Sequence, residues 1–583
     1  MSAGSQIRLS RSGCFEKEFA GTEPNRTESR NPLGKSERLM MLREAAQEES
    51  APAPSGLKSY DLYIAGKDVA GDGWVYTVSG RSLLEDVFTS VSLKRSLEQD
   101  PESEAAQHPY VVGRCAVADD SAIDMATQAA AAAASDWAAV PLERRMRLGT
   151  RFREELLKHQ DEFLDMLVAE SHPVKLARWE LSCLLQIYAP GSLRWYMKQM
   201  RVEKEYAGRK LILHRQPDGV VAFNPPQNAP LPSAALCVLA LMAGNAVVVR
   251  APRSIALSTM WLLRDIVAPI LEEFDAPPGV LNAVCSNPKQ TMDRWIADPL
   301  INDIFYIGGS QEGLRFEQQC VAHGKKPILE LAGNDGIVVW KDADVKWAAE
   351  AITESFFGSG QICMVPNYVL VHPDVAEALI AEVREQVKGI RPGLPEEEDV
   401  LLSPVRRSER FFRLLRQALD NGGSLVTGGH RTELDGTPSE TGVFLQPTVI
   451  RVDGLDRART FDVVREETFF PLIPIVVPER DNDDALLEAF LRFVNTNSYG
   501  LRNSLWSRSD HVIETFVRRV VNGGLLKVND SHIGFLPYLP SHGGTGRTGG
   551  AFGEANYPML KTSHVQGVSI ARDISPYDAV FGA

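Results

Sequence analysis

The stretch "VVAFNPPQNAPLPSAALCVLALMAGNAVVVRAP", residues 220–252, is the strongest indicator of fold class in this chain. Apolar, β-prone runs stand at both of its ends, and an Ala- and Leu-rich segment of helical length lies between them. A buried strand, a helix and a second buried strand in this order form a βαβ unit, whose two strands are parallel. The stretch therefore predicts an α/β protein with a parallel sheet.

The same alternation continues along the chain. Downstream, "GVLNAVC" and "DIFYIGG" predict further strands, and after Ile328 the pattern restarts with "GIVVW", "NYVLVH", "LQPTVIRV" and "LIPIVVP", separated by helices. A chain of 583 residues is also too long for one hydrophobic core. We therefore predict two α/β domains, over residues 58–327 and 328–540.

Three segments fall outside this alternation. Residues 1–57 are polar and lack apolar periodicity, so we predict a disordered N-terminal extension. The turn signature Pro217-Asp218-Gly219 predicts a hairpin near 205–222 that interrupts the first domain. Residues 541–583 hold a loop and one strand without a local partner, and such a strand pairs with another subunit or a distant hairpin.

Composition excludes several classes of protein. The 62 Lys and Arg against 76 Asp and Glu leave a net charge of −14, which argues against a nucleic-acid surface. The seven cysteines are dispersed and the eleven histidines are unclustered, so we predict no disulfide framework and no metal site. The chain has neither an apolar signal core nor a segment long enough to span a bilayer, which predicts a cytoplasmic protein.

The segment "FFGSGQIC", residues 356–363, sets a cysteine after a Gly-Ser-Gly loop. A buried, inert thiol is the ordinary role of an intracellular cysteine. Here the glycines permit unusual backbone geometry, and nearby N–H groups would favour the nucleophilic thiolate. Cys363 is therefore a candidate nucleophile.

Two further polar residues stand in apolar or turn contexts. Glu330 interrupts the run "ILELAG", and it is either a solvated strand end or a partly buried general base. Asn228 lies between Pro226 and Pro230 ahead of a helix. It is either a turn residue or the donor of a hydrogen bond to an oxyanion.

Seven motifs in order resemble those of the aldehyde dehydrogenase superfamily: "NAPLPSAALCVLALMAGNAVVVR", "FYIGGSQEG", "ILELAGND", "FFGSGQIC", "REETFFP", "NTNSYGL" and "HGGTGRTGG". The resemblance runs from about Tyr60 to the C-terminus and implies a Rossmann-type NAD(P)-binding domain, an α/β catalytic domain and a small β oligomerisation arm. It also implies a homodimer or homotetramer, with the hairpin and the C-terminal strand as the arm. The activity implied is NAD(P)-dependent oxidation of an aldehyde to its acid.

Residue roles follow from the same resemblance. Cys363 matches the nucleophile that forms a thiohemiacetal and then a thioester. Asn228, with the Cys363 backbone N–H, matches the oxyanion hole, and Glu330 matches the base that activates water. The residues that the resemblance places at the cofactor are Asn224, Gly308, Gly309, Ser310, Gly313, Leu331, Glu467 and Phe469.

Some positions depart from the family pattern. Where the family usually has Lys followed by Pro-x-Glu, this chain has Arg250-Ala251-Pro252-Arg253. The usual acidic partner of the adenosine ribose is absent and two cations are present, so we expect a slight preference for NADP. The alternative is a solvated Arg253 and a relaxed choice of cofactor. The pattern Gly544-x-Gly546-x-x-Gly549 matches a dinucleotide fingerprint but no strand precedes it, so we do not expect it to bind the cofactor.

Two other functions remain open from the sequence. An acylating relative would pass the thioester to coenzyme A, although Glu330 argues for hydrolysis. A catalytically silent NAD(P)-binding scaffold would keep only the fold, although the presence of Cys363, Glu330 and Asn228 together argues against it. The aldehyde itself is not predicted.

Overall fold

The structure is a computed structural model that describes residues 57–100, 103–540, 542–553 and 557–581. The predicted N-terminal extension, apart from Leu57, lies outside these residues. Among the residues that the structure describes, no helix combines the length and the apolar character that a membrane span requires.

A first seven-stranded sheet contains the βαβ unit that the sequence predicts. Its five long strands are parallel, and two short antiparallel strands form one edge. The β-branched runs are buried on both faces because helices cover the sheet on either side. In spatial order the strands are Lys326–Glu330, Asp303–Ile307, Val220–Asn224, Ala246–Pro252, Leu281–Ser286, Leu62–Ile64 and Lys67–Val69.

Helices pack around this sheet and in a layer beside it. Asp120–Ala138 begins at the capping side chain of Asp119, which accepts the Ala122 N–H at 2.8 Å. The other helices of this half are Leu142–Lys158, Gln160–Ala169, Val174–Ile187, Pro190–Met200, Pro230–Ala235, Cys237–Ala243, Leu257–Trp261, the π-helical Leu262–Val267, Ala268–Glu273, Pro288–Ala297 and Ser310–Ala322.

A small three-stranded sheet precedes these helices. Its strands, in spatial order, are Lys58–Tyr60, Val111–Ala116 and Trp74–Val78. The connecting helices are Gly80–Glu85, Val87–Gln99 and the short 3-10 helix Glu104–Gln107. Leu93 and Leu97 pack against this sheet and contribute to a small core.

A second seven-stranded sheet carries the other half of the molecule. In spatial order its strands are Ser424–Thr427, Thr448–Asp453, Leu472–Val477, Pro366–Val371, Asp335–Val339, Arg502–Trp506 and Leu525–Val528, of which only the first is antiparallel to its neighbour. Its helices are Val345–Thr353, the 3-10 segment Glu354–Gly360, Ala376–Val387, Glu409–Asp420, Leu455–Ala458, Asp462–Arg465, Asp483–Asn495 and Asp510–Arg519. Two minor sheets pair Arg431–Thr432 with Pro438–Ser439 and Phe444–Leu445, and Tyr499–Gly500 with Thr545–Gly546.

The two predicted domains stay a prediction, and their predicted limit at 327/328 falls inside the strand Lys326–Glu330. Lys326–Glu330 pairs in parallel with Asp303–Ile307, so the chain changes sheets over residues 331–334. No helix separates this strand from Asp335–Val339, so the apolar pattern alone does not mark where one sheet ends and the other begins.

The third unit is a three-stranded antiparallel sheet, formed by a hairpin and the C-terminal strand. The hairpin consists of Arg201–Tyr206 and Arg209–Pro217, and Ser563–Ala571 of the same chain pairs along the second strand. Its turn is at Ala207-Gly208, where both φ angles are positive (48° and 72°), as a two-residue hairpin requires. The predicted limits 205–222 are therefore corrected to 201–217.

The Pro217-Asp218-Gly219 signature does mark a turn, but a different one. It leads from the hairpin into Val220–Asn224, which is buried in the first sheet. The remaining C-terminal helices are Pro558–Lys561 and Pro576–Phe581. Because this sheet is built within one chain, its role in assembly stays a prediction.

Candidate active site

The loop before Cys363 has a left-handed backbone. Gly358, Ser359 and Gly360 have φ angles of 59°, 56° and 70°. A side chain at Gly360 would place its Cβ 2.2 Å from the Phe470 carbonyl oxygen, so only glycine fits there. Ser359 tolerates the strained conformation because its hydroxyl donates to the Ser403 carbonyl at 2.6 Å. The Gly-Ser-Gly sequence is thus required by the turn that presents Cys363.

Cys363 and Glu330 meet directly, although 33 residues separate them. The Cys363 thiol donates to Glu330 Oε1, with 3.1 Å between sulfur and oxygen. Glu330 is the last residue of Lys326–Glu330, and its carbonyl accepts the Gly308 N–H at 3.0 Å. The end of one sheet therefore faces the cysteine loop of the other.

Burial controls the protonation of this pair. Burial raises the pKa of the Glu330 carboxyl from its usual 4.5 to about 8, although the hydrogen bond from Cys363 opposes the rise. Burial, followed by the nearby Glu330 carboxyl, raises the pKa of the Cys363 thiol well above its ordinary value. The thiol is thus protonated at neutral pH, and its proton points at the Glu330 carboxyl.

Asn228 reaches the cysteine loop from the other side. Its side-chain Nδ2 donates to the Gln361 carbonyl at 3.0 Å, two residues before Cys363. One N–H of the amide therefore donates to the protein itself, and the second N–H is the one that would donate a hydrogen bond to an oxyanion. Among the described residues, no acceptor lies within hydrogen-bond distance of the Cys363 backbone N–H.

A mostly apolar cavity connects these three residues. The helix Val174–Ile187 forms one wall, and the loop after Leu525–Val528 forms another. The lining residues are Trp179, Glu180, Cys183, Leu184, Ile187, Pro226, Asn228, Ala229, Pro232, Ser233, Ile307, Glu330, Ile362, Cys363, Met364, Phe535 and His542. A thiol and a carboxyl at an apolar cavity can bind and modify an apolar electrophile.

The predicted glycines lie at the start of the helix Ser310–Ala322. No side chain caps this helix, which leaves its first backbone N–H groups available to an anion such as a pyrophosphate. Gly313 serves packing, because a Cβ there would lie 2.1 Å from Leu331 Cδ2. The Ser310 hydroxyl is already engaged, since it donates to the Arg547 carbonyl at 2.8 Å. Gly308 and Gly309 thus stand at the open end, and the site fits a dinucleotide.

Arg250 differs from expectation. Its side chain is buried, with donors to Asn224 Oδ1 at 2.5 Å, the Pro225 carbonyl at 3.2 Å and the Ser286 carbonyl at 3.3 Å. These bonds tie together the carboxyl ends of three neighbouring strands. Arg250, predicted to favour the 2′-phosphate of NADP, is thus engaged by three acceptors inside the protein, and Asn224 Oδ1 accepts one of its hydrogen bonds. Arg253 is exposed.

Glu467 and Phe469 lie on the segment before Leu472–Val477. Glu467 Oε1 accepts the Gly333 N–H at 3.0 Å, and burial raises its pKa to about 8. Phe469 has a left-handed backbone with φ of 57°, an uncommon conformation for an aromatic residue. Such strain persists where surrounding contacts hold a side chain in one place.

The glycine-rich C-terminal loop braces this region. The Leu331 N–H donates to the Thr548 carbonyl at 2.9 Å, and the Thr548 hydroxyl donates to the Ala332 carbonyl at 2.8 Å. Only the two-residue strand Thr545–Gly546 lies in the fingerprint-like segment, and it belongs to no βαβ unit. The expectation against a dinucleotide fingerprint is therefore consistent with the fold.

Sequence reasoning did not single out several polar residues behind Cys363. Asp335 Oδ1 accepts the Arg502 backbone N–H at 3.1 Å, and Arg502 Nη1 donates to the His532 carbonyl at 2.9 Å. All three side chains are at most 1% exposed, so they support the site without touching a substrate. His542, which lines the cavity, was also missed. These residues come from separate strands and loops, and no local motif links them.

Within the described ranges, no group of three or more His, Cys, Asp or Glu side chains could hold a metal ion.

Comparison with known proteins agrees with this architecture. Residues 97–565 match the model of the aldehyde dehydrogenase family. A benzaldehyde dehydrogenase (NAD(+)) of Pseudomonas putida is 29% identical over 451 residues, which cover 76% of this chain and 88% of that protein. A vanillin dehydrogenase of Pseudomonas fluorescens is 29% identical over 457 residues, which cover 76% and 89%.

A similar solved structure is that of an NAD-dependent aldehyde dehydrogenase from Sinorhizobium meliloti. Its TM-score is 0.74 at 21% identity, and the match covers 91% of this chain and 98% of that one. At this identity the likeness establishes the fold.

Proposed function

The chain belongs to the aldehyde dehydrogenase family, and from this premise we propose that it oxidises an aldehyde to the carboxylic acid through a covalent intermediate on Cys363. The observation that carries the proposal is the 3.1 Å contact between the Cys363 thiol and Glu330 Oε1 at an apolar cavity. A nucleophile beside a buried carboxyl suits two-step chemistry, in which acylation is followed by hydrolysis.

The first step uses Cys363 and Asn228. The thiol proton leaves to solvent as the sulfur forms a bond to the aldehyde carbon, and the carbonyl π pair moves to oxygen. The Asn228 amide and the Cys363 N–H then donate hydrogen bonds to that oxyanion. These donors favour the tetrahedral state over the planar aldehyde, which is the source of rate enhancement.

The cofactor residues have a supporting role. NAD or NADP, when bound, supplies the acceptor for the hydride that converts the thiohemiacetal to a thioester. The N–H groups at the start of Ser310–Ala322 suit the pyrophosphate, while Glu467 and Phe469 would orient the nicotinamide half. The open end at Gly308 and Gly309 leaves room for close backbone approach.

The second step depends on Glu330. As a carboxylate it takes a proton from water, and the water oxygen forms a bond to the thioester carbon. The carbon–sulfur bond then breaks with its electron pair on sulfur, and the proton held by Glu330 passes to that sulfur, which restores Cys363 and releases the acid. A pKa of about 8 suits a general base that works near neutral pH.

The substrate class that fits the cavity is an aromatic or otherwise apolar aldehyde. Trp179, Phe535, Ile362 and Met364 present apolar surface beside the thiol. Relatives named as benzaldehyde and vanillin dehydrogenases, both 29% identical, are in keeping with this class. Benzaldehyde should therefore be turned over with a higher kcat/KM than glyceraldehyde or succinate semialdehyde.

Cofactor preference, in this proposal, rests on Arg253 alone. The Arg250 guanidinium already donates hydrogen bonds to three acceptors in the protein. The Arg253 side chain, just after the same strand, is exposed. A guanidinium there would favour NADP through its 2′-phosphate. We also propose that the chain assembles as a homo-oligomer through the fully exposed edge strand Arg201–Tyr206. Light scattering at micromolar concentration would contradict this if it gave a monomer mass.

The decisive experiment replaces Cys363 with Ala. Turnover should fall by roughly four orders of magnitude or more, while binding of reduced cofactor, measured by fluorescence, persists. Cys320→Ala is the matched control, because Cys320 is buried in the first-sheet core. Near-normal activity of Cys363→Ala would refute the mechanism. If the wild-type enzyme formed acyl-CoA when coenzyme A was added, the second step would be acyl transfer and not hydrolysis.

A further inference from the structure

The two oxygens of Glu330 have different surroundings. Oε1 accepts the Cys363 thiol, but Oε2 has no hydrogen-bond partner among the described residues, although Glu330 is only 1% exposed. A buried carboxylate oxygen without a donor is unfavourable, and such an atom calls for an explanation. The proposed hydrolytic step needs this group as a carboxylate, so the charged form must find support.

His542, from the C-terminal loop, lies close to that oxygen. Its Nε2 lies 3.8 Å from Glu330 Oε2, and both side chains line the cavity. Phe535 holds the imidazole edge-on, with ring centres 5.8 Å apart and an interplanar angle of 65°. The ring is thus fixed between an apolar wall and the general base.

His542 is neutral in this setting. Burial, followed by the charge of Arg502, lowers the pKa of its imidazole to about 3. A neutral imidazole carries one N–H donor and does not act as an acid or a base at working pH. A contribution to the reaction must therefore come through hydrogen bonding.

We propose that His542 is a positioning residue for hydrolysis, whose Nε2–H donates to Glu330 Oε2 once the carboxylate forms. This inference rests on the proposed function. In the resting state 3.8 Å is longer than a hydrogen bond, because the thiol holds the carboxyl through Oε1. In the acyl-enzyme the sulfur has no proton, so the carboxylate is free to shift towards the imidazole. Oε1 then faces the attacking water.

Other charged groups around Glu330 act in opposite directions. Burial is the main cause of its raised pKa, the charge of Arg502 lowers the pKa, and the charge of Asp335 raises it. Cys363 lowers it only while the thiol proton is present. In the acyl-enzyme that support is lost, and an N–H from His542 would replace it. His542 should therefore lower the pH at which Glu330 becomes a base in hydrolysis.

The test compares His542→Phe, which keeps the ring and removes the donor, with His542→Gln, which keeps an N–H. Hydrolysis of the acyl-enzyme is followed against pH in single turnovers, and the burst of reduced cofactor reports hydride transfer. His542→Phe should raise the pH midpoint of hydrolysis by about one unit and slow it roughly tenfold at pH 7, with an unchanged burst. His542→Gln should restore most of the rate.

The matched control is His372→Phe. His372 is also buried and lies 3.3 Å from a carboxylate, that of Asp483, but it is remote from the cavity. This variant should keep the wild-type midpoint.

Three results would overturn the role of His542: a wild-type profile in His542→Phe, the same loss in His542→Gln as in His542→Phe, or an equal midpoint shift in His372→Phe. A wild-type enzyme without any burst or acyl-enzyme would instead overturn the proposed function. The burst amplitude thus separates the two failures.

Discussion

Two buried polar centres in this molecule contrast sharply. Around Arg250, a buried guanidinium donates to three oxygens at the ends of the two flanking strands, so its hydrogen bonds hold structure together. Around Glu330, an equally buried carboxyl has one oxygen on the Cys363 thiol and one without a partner among the described residues. The first centre is satisfied and the second is not. Incomplete satisfaction of a buried group is what leaves Glu330 free to take up and release a proton.

The largest expected effect tests the unsatisfied centre. Glu330→Gln should slow acid release by roughly 10²–10⁴-fold, because an amide cannot accept a proton from water. Hydride transfer should stay close to normal, so stopped-flow measurements should show a full burst followed by a slow steady state. Glu317→Gln is the control, since Glu317 is buried outside the cavity. Its carboxyl accepts the Ala551 N–H, and the amide oxygen of the variant can accept the same bond. A lost burst in Glu330→Gln would assign this residue to an earlier step.

The next effect tests the satisfied centre. Arg250→Met should lower the free energy of unfolding by about 3 kcal/mol, because three buried acceptors lose their donor. Urea denaturation measures this loss, and the ratio of kcat/KM for NADP and NAD should not change in the folded variant. If the NADP preference collapsed without loss of stability, Arg250 would be a phosphate ligand after all.

Changing pH separates activity from stability at the unsatisfied centre. Hydrolysis should increase about tenfold as pH rises from 7 to 9, since the Glu330 pKa is about 8 and the carboxylate is the active form. Stability should fall as pH rises from about 4.5 to 8 and then level off, because only in that range does the folded state hold protons that the unfolded state has lost. Glu330 and Glu467 keep their protons in the folded state up to about pH 8 but lose them near 4.5 when unfolded. If the rate of hydrolysis and the free energy of unfolding both rose with pH, the raised pKa assigned to Glu330 would be contradicted.

The smallest effect concerns Arg253. Arg253→Ala should reduce kcat/KM for NADP several-fold and leave that for NAD within about twofold, because only NADP carries a 2′-phosphate. The free energy of unfolding should change by no more than about 0.5 kcal/mol, since this side chain is exposed. Equal losses for both cofactors would show that Arg253 does not discriminate between them.

The predicted fold and the predicted site differ in how directly the sequence revealed them. Strands such as Val220–Asn224 and Ala246–Pro252 were predictable because a strand buried on both faces reads as a continuous apolar run. The hairpin limits were wrong by four or five residues. A Pro-Asp-Gly turn is a stronger local signal than Ala207-Gly208, yet the structure uses the weaker one to close the hairpin.

Arg250 shows why a residue type does not reveal its role. Two arginines three positions apart read as one cationic patch, but one side chain turns into the sheet and the other faces solvent. Alternation along a strand suggests which side a residue faces. It does not show which carbonyl oxygens lie on that side, because the oxygens of Pro225 and Ser286 come from other segments of the chain.

The sequence by itself determined the α/β class, the family, and the identity of Cys363, Glu330 and Asn228 as candidates, since these depend on local periodicity and ordered motifs. Tertiary structure alone decided that the thiol of Cys363 meets Glu330, that Arg250 is an internal brace, and that His542 lies beside Glu330. Such facts depend on distances between segments far apart in the chain. Burial then sets the protonation of these groups, and burial is a property of the folded molecule.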